Sequence, residues 1–325
     1  MIGPKLTLRK FVSLTVRNTL CYLPRLHLIS FPNRPNGISL CIRTKNEEWI
    51  DLSLRSVKEF ADEIVIADTS TDDTPKRIRK VAEEYNLNVK FICLKDNSAS
   101  PMSDTETYTY QSNLALRNTT YRWIFKWDGD FVARTSGPCD IKKLRERILK
   151  LDPSKYYMIH LSYVNLHGDL FHTTPQGIGL SSEAHLFTYF PTLEFKNMRR
   201  FERLSLPKYY KPLYIKDIYV FHLATVKSSK YILYRRYWTD WREVNDYRRF
   251  PTLTDYVKYR LELDYGTSDL SEGEKIVVNE LCKKLIPYDK QKYGDYPELL
   301  KDELANPRYL VIYEGGKVIG RNDTL

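Results

Sequence analysis

The chain has 325 residues, 42% hydrophobic and 28% charged, and its 51 Lys and Arg against 41 Asp and Glu give a formal net charge of +10. This composition excludes a wholly disordered chain, and the length leaves room for a sizeable core. No stretch of about 18 residues is both apolar and uncharged, so a membrane-spanning helix is not expected.

The positive charge sits at one end. No acid precedes Glu47, whereas Lys5, Arg9, Lys10, Arg17, Arg25, Arg34, Arg43 and Lys45 do. Residues 1–36 form a basic N-terminal segment in which Leu8, Val12, Val16, Leu20 and Leu23 recur at helical spacing. Arg17 interrupts the apolar run, so a signal peptide fits poorly. Two readings stay open: an interfacial helix on anionic lipid, and a helix packed on the protein's own body. Five widely spaced cysteines with no C-x-x-C fit neither a disulfide framework nor a zinc ribbon. Cys41 and Cys93 lie in apolar runs and read as core thiols. A reducing compartment follows, with the cytoplasm as the expected location and the N-terminal segment as the candidate for peripheral contact with the cytoplasmic membrane face.

After the loop Pro32-Asn33-Arg34-Pro35-Asn36-Gly37 the rhythm becomes β-α-β. Ile38–Thr44 reads as a strand, Glu48–Ala61 as a helix and Glu63–Ala67 as a buried strand. Thr74–Tyr85 is a charged helix, Val89–Leu94 a third strand, Thr107–Asn118 a helix and Arg122–Trp127 a fourth strand. Strands alternating with helices predict a mostly parallel sheet, with ligands bound beyond the carboxyl ends of its strands. Further on, Ile141–Leu151 reads as helix and Tyr156–Tyr163 and Leu213–Phe221 as strands. Helices then dominate at Ser228–Arg236, Leu253–Leu263 and Ser271–Leu285. A hairpin crosses Gly315-Gly316 within Tyr309–Ile319.

Three polar, acid-bearing loops follow the strands. Asp128-Gly129-Asp130 sets two carboxylates around a glycine that permits a tight turn, a donor set suited to Mg²⁺ or Mn²⁺; taken alone, such a pair is more often a capped turn. Asp68 ends the second strand, where an acid can meet a base or ribose, and Asp72 reads chiefly as the cap of the next helix. Asn46 and Glu47 follow the first strand, where helix entry is the plainer reading.

Taken together, S-L-C-I-R-T-K-N-E-E, then E-I-V-I-A-D-T-S-T-D-D-T, Q-S-N-L-A-L and W-I-F-K-W-D-G-D resemble the donor-binding half of a family 2 glycosyltransferase with the GT-A fold. The nearest branch acts on acceptors like lipopolysaccharide cores. The resemblance covers residues 37–135 well and 136–225 loosely. It implies a Rossmann-like α/β GT-A domain over 37–225, with a donor half and an acceptor half, and leaves 226–325 as a mainly helical C-terminal extension. It also implies inverting transfer from a nucleotide-sugar, UDP-linked by expectation, to a glycan, lipid-linked or protein acceptor with Mn²⁺ or Mg²⁺ as cofactor. Carried over by position, Thr44, Asn46 and Glu47 line the nucleotide pocket, Asp68 meets the base, Asp128 approaches the ribose or sugar, and Asp130 ligates the metal. Asn113 matches an asparagine whose role is expected to be structural. Ala67 and Phe131 depart from the pattern, since many members carry acids there.

Inverting transfer needs a general base, and Asp169, Glu183, Glu194 and Glu202 are the candidates. Glu202 ranks first, because Phe201-Glu202 is nearest to the His-Glu pair of that branch, and Glu183 second. The plain alternative for each is a surface carboxylate paired with a local arginine. His222 ends an apolar strand where the family often has a further metal ligand. Lys227, Arg235 and Arg236 are placed to meet a diphosphate. His160, His167, His172 and His185 show no recognised spacing. Two other functions stay open: a nucleic-acid- or membrane-binding protein on a degenerate GT-A fold, and a nucleotidyltransferase. Nucleic acid is not an expected partner, because the body outside the N-terminus is nearly neutral.

Overall fold

The computed structural model describes residues 33–94, 104–180, 185–198, 202–207, 209–243 and 248–323. The N-terminal helix expected over residues 8–23, with its proposed membrane contact, lies outside the described residues.

The strands are β1 (Ile38–Thr44), β2 (Glu63–Asp68), β3 (Val89–Cys93), β4 (Trp123–Asp128), β5 (Phe131–Ala133), β6 (Tyr157–Asn165), β7 (His172–Thr173), β8 (Ile178–Leu180), β9 (Leu186–Thr188), β10 (Phe195–Asn197), β11 (Glu202–Leu204), β12 (Lys211–His222), β13 (Ile286–Pro287), β14 (Tyr309–Glu314) and β15 (Lys317–Asp323). The main helices are α1 (Ile50–Ser56), α2 (Thr74–Glu84), α3 (Asp104–Arg117), α4 (Ile141–Leu149), α5 (Ser229–Glu243), α6 (Leu253–Tyr265) and α7 (Leu270–Cys282).

A nine-stranded sheet runs in the order β3-β2-β1-β4-β9-β6-β12-β5, with β8 paired to β6. β3, β2, β1 and β4 are mutually parallel, as are β6 and β12, while β9 joins the two groups antiparallel to both β4 and β6. This is the expected α/β architecture: a mostly parallel sheet flanked by helices and followed by a mainly helical region.

The apolar runs explain the layering. β1 and β2 are buried along almost their whole length, as strands covered on both faces must be. Ile38, Leu40 and Ile42 face one core with Leu54 of α1, Ile78 of α2 and Leu144 of α4. Cys41, Val65 and Ile124 face the other with Ala115 and Leu116 of α3 and Phe187 of β9. Asn113 exchanges two hydrogen bonds with the Phe195 backbone, 2.9 and 2.7 Å, which clasps α3 to β10 and makes this asparagine structural. β3 lies at the sheet's edge, so Cys93 is exposed rather than a core thiol; Cys41 and Cys282 are buried. An apolar run does not by itself tell a central strand from an edge.

Helices α5, α6 and α7 form their own core around Leu233, Tyr237, Val257 and Val278. Val311 of the β14–β15 hairpin joins it, and that hairpin turns at Gly315 and Gly316, both at positive φ. A fourth apolar cluster, with Trp49, Phe221, Val226 and Tyr309, binds this region to the end of the sheet. No helix among the described residues is long and apolar enough to cross a membrane.

Candidate active site

β1 and β4 are neighbours and parallel, so the loops after them leave the sheet at the same edge. There they enclose a cleft of 290 Å³. Thr44 ends β1 and Glu47 lies in the loop after it, while Asp128 ends β4 and Gly129 and Asp130 follow it. His222 at the end of β12, Tyr108 and Gln111 of α3, and Tyr231 and Arg235 of α5 complete the wall with Arg43 and Lys45. Thr44, Glu47, Asp128, Asp130 and His222 therefore converge as the sequence predicts.

Asp68 lies just beneath. It is 0% exposed and accepts hydrogen bonds at Oδ1 from the Thr44 hydroxyl, 2.5 Å, and the Ser70 hydroxyl, 2.6 Å. Its Oδ2 is buried and has no hydrogen-bond partner. Asn46 is not in the cleft wall and does not cap α1. It adopts φ 51°, its N–H donates to Ser70 Oγ at 2.7 Å, and its Oδ1 accepts from Thr71 N–H at 2.8 Å. Its side chain thus closes the β1 loop onto the β2 loop. Asp72 is not the N-cap of α2, which is Asp73; it stands one residue earlier and accepts from Thr74 N–H at 2.9 Å.

The Glu47 loop is held from several directions. Thr74 Oγ1 accepts the Glu47 N–H at 3.1 Å, and the Arg77 guanidinium donates to the Glu47 and Glu48 carbonyls at 3.2 and 2.8 Å. Gly129 has room for nothing larger, because a Cβ there would stand 2.9 Å from Glu47 Cγ and 3.3 Å from Thr44 Cγ2. The glycine permits close packing of two loops rather than a left-handed turn.

Behind the Glu47, Asp130 and His222 side chains of the cleft wall lies an ion cluster. Lys227 Nζ, 0% exposed, donates to both Glu47 oxygens at 2.6 Å and stands 3.1 Å from Asp130 Oδ2. His222 Nε2 lies 3.4 Å from Asp130 Oδ1, and its Nδ1 is 2.8 Å from Asn165 Oδ1. Burial opposes ionisation of Asp130, but Lys227 and then His222 more than offset it and hold the carboxyl well below its usual range. Burial pushes the Glu47 carboxyl up to about 7, with Lys227 opposing and Asp130 reinforcing the shift. Two carboxylates beside one ammonium divide in this way: Asp130 keeps its charge the more firmly. His222 is raised despite its burial, because Asp130 favours the imidazolium.

A divalent ion does not fit these residues as they are arranged. Mg²⁺ and Mn²⁺ need free oxygen lone pairs. Both oxygens of Glu47 and one of Asp130 face an ammonium, and the other Asp130 oxygen faces an imidazole. Among the described residues no group of three or more His, Cys, Asp or Glu side chains is arranged to hold a metal ion.

Glu202 does not line the cleft and is not a surface carboxylate. It is buried against Arg43 Nε, 3.3 Å, and Lys126 Nζ, 3.2 Å, and accepts from Ser112 Oγ at 3.2 Å. Glu183 lies outside the described residues. Asp169 is wholly buried and structural: it accepts from Phe171 and Val311 N–H groups, both 2.8 Å, and pairs with His172 Nδ1 at 2.6 Å. Glu194 sits beside Lys196 at 3.6 Å. His160, His172 and His185 are buried, and burial lowers the His167 pKa to about 4.

The sequence reading missed Arg43, Lys45, Tyr108, Gln111 and Tyr231. Arg43 and Lys45 flank Thr44, so a strand-end position was available as a signal. The other three reach the cleft only through the packing of α3 and α5.

No protein-family model matches the chain, and no curated protein matches it. Among solved structures it is similar to S. aureus TarS, at 14% identity and a TM-score of 0.39, over 76% of this chain and 43% of TarS. The chain thus spans less than half the length of that protein. The TarS 1–349 structures in complex with UDP and with UDP-GlcNAc match at 16% identity and a TM-score of 0.39 over 76% of this chain and 71% and 72% of theirs. A likeness at that TM-score assigns neither fold family nor ligand, and the functional reading has to come from the cleft.

Proposed function

We propose that the chain is a glycosyltransferase that moves a sugar from a nucleoside-diphosphate donor to a hydroxyl acceptor. One observation supports this most: Thr44, Glu47, Asp128 and Asp130 meet Arg43, Lys45 and Arg235 in a single cleft beyond the carboxyl ends of parallel strands. Carboxylates accept hydrogen bonds from ribose and sugar hydroxyls, while guanidinium and ammonium groups pair with phosphate oxygens. Asp128 is the carboxylate for those hydroxyls. Asp68 orients the Thr44 hydroxyl at the cleft wall, and it meets a base only if the base reaches its buried Oδ2. As the sugar leaves, charge grows on the diphosphate, and fixed cations at the cleft stabilise it without reorganising.

The family 2 assignment, the inverting course and a glycan or lipid-linked acceptor belong to the same proposal. Glu202 takes the acceptor proton only if an acceptor reaches its buried Oε2; its ion pair with Arg43 gives it a second role, setting Arg43 at the rim.

The test is to incubate the full chain with a panel of nucleotide-sugars, beginning with UDP-GlcNAc, and to identify the released nucleotide. A nucleoside diphosphate together with a glycosylated product supports sugar transfer. A nucleoside monophosphate with pyrophosphate instead identifies a nucleotidyltransferase.

A further inference from the structure

A lysine next to a polar cleft ordinarily reaches for solvent. Lys227 does the opposite. Its Nζ is fully buried and set between two carboxylates carried by loops that follow different strands. The backbone on either side of it is pinned: Trp49 Nε1 donates to the Val226 carbonyl, and the Ser228 N–H donates to Glu48 Oε1 at 3.1 Å. The Tyr231 ring covers another side of the ammonium, with Nζ 5.0 Å from its centroid. His222 adds a second positive group against the remaining Asp130 oxygen, and its Nδ1 faces the Asn165 carbonyl oxygen, so both ring nitrogens address acceptors.

We propose that the Lys227 ammonium is the built-in counter-cation of this cleft, held between the Glu47 and Asp130 carboxylates, so that the cleft takes a nucleoside diphosphate without a metal. The nucleotide part rests on the sugar-transfer reading; the metal part does not.

Two physical arguments carry it. An acidic floor repels a diphosphate unless a cation intervenes, and that is the service a bridging metal ion performs. Here Lys227 and His222 neutralise Glu47 and Asp130 from within the chain, and Arg43, Lys45 and Arg235 stand in the same wall. Further, a divalent ion drawn to the Asp130 oxygens would stand beside an ammonium that burial leaves unscreened, a like-charge contact that opposes its entry. No covalent step is involved, since Lys227 acts as a fixed charge.

The experiment has two readouts on the full chain. Binding of Mn²⁺ alone is followed by the loss of the free-ion paramagnetic resonance signal, and UDP affinity is measured by calorimetry in excess EDTA and in excess Mn²⁺. The expected result is no stoichiometric Mn²⁺ binding and UDP dissociation constants that agree within about twofold. Stoichiometric Mn²⁺ uptake, or UDP bound more than about tenfold tighter with Mn²⁺, overturns the proposal and leaves the sugar-transfer reading standing. If UDP binds under neither condition, that reading fails, and the Mn²⁺ titration still decides the role of Lys227. Lys227→Ala supplies the converse. A folded variant that loses UDP binding in EDTA and recovers it with Mn²⁺ supports the proposal, and one that binds UDP in EDTA as tightly as the parent overturns it. If Lys227→Ala does not fold, the parent chain's two readouts decide.

Discussion

The Lys227 ammonium donates to both carboxylate oxygens of Glu47, at 2.6 Å each, across 180 residues of sequence. The neighbours on each side repeat the contact: Glu48 accepts from Ser228 N–H and from the Tyr309 hydroxyl, and Trp49 donates to the Val226 carbonyl. The first loop of the sheet is thus tied to the segment that leads into the helical region. The cleft exists because these two distant pieces meet.

Breaking that tie should be costly. Lys227→Met leaves Glu47 and Asp130 buried without their ammonium, and losing one partner of a buried ion pair costs about 3–5 kcal/mol. Urea unfolding of the parent and the variant at neutral pH measures it, with an unchanged m-value expected.

The Glu47 carboxyl gives the cleft a pH dependence of known sign. Its pKa rises from an ordinary 4.5 to about 7 on folding, chiefly through burial. Between those values the folded chain holds a proton that the unfolded chain has released, so stability falls as pH rises through that window. The loss attributable to Glu47 is on the order of 3 kcal/mol by pH 8. Glu47→Gln should flatten the profile between about pH 5 and 8, as followed by urea midpoints at a series of pH values.

Gly129 should tolerate no side chain. In Gly129→Ala the new Cβ meets Glu47 Cγ at 2.9 Å and Thr44 Cγ2 at 3.3 Å, so the Glu47 loop has to move. Overpacking of this kind costs about 1–3 kcal/mol. The variant should also bind UDP more weakly than the parent, as calorimetry would record.

Glu202→Gln separates two roles. If Glu202 sets Arg43, the variant loses donor affinity, because Arg43 lines the cleft and pairs with Glu202 at 3.3 Å. A general base would instead leave donor binding intact and lower turnover by about 10²–10⁴-fold. The buried ion cluster predicts the first outcome, read as a raised donor KM with turnover largely kept.

Thiol labelling checks the sheet's edge. Cys93 is exposed on β3 and should react ahead of Cys41, Cys139 and Cys282 with a disulfide reagent. Burial pushes the Cys41 thiol up to about 12 and the Cys282 thiol up to about 11, so both should stay unlabelled in the folded chain at neutral pH.

The fold was legible where the chemistry is local. Buried parallel strands read as unbroken apolar runs, and Ile38–Thr44 keeps those bounds in the structure. The hairpin followed from Gly315-Gly316, whose positive φ the turn requires. The acids at the strand ends were legible for a similar reason, since the parallel order brings Thr44, Glu47, Asp128 and Asp130 to one edge. Lys227 was legible as a charge but not as the partner of Glu47, because that contact depends on how a distant segment folds back. Glu202 was legible as a carboxylate but not by its partners: arginines lie near it in sequence, whereas Arg43 and Lys126 pair with it in space.

The central claim is that the cleft between β1, β4 and α5 binds a nucleoside diphosphate. It is tested most directly by measuring the unfolding stability of the full chain against UDP, GDP, CDP and ADP, in parallel with Arg235→Ala. At about a hundred times its dissociation constant a bound nucleotide should add about 2.7 kcal/mol, and the gain should shrink in Arg235→Ala. A folded chain that none of the four stabilises would contradict the account.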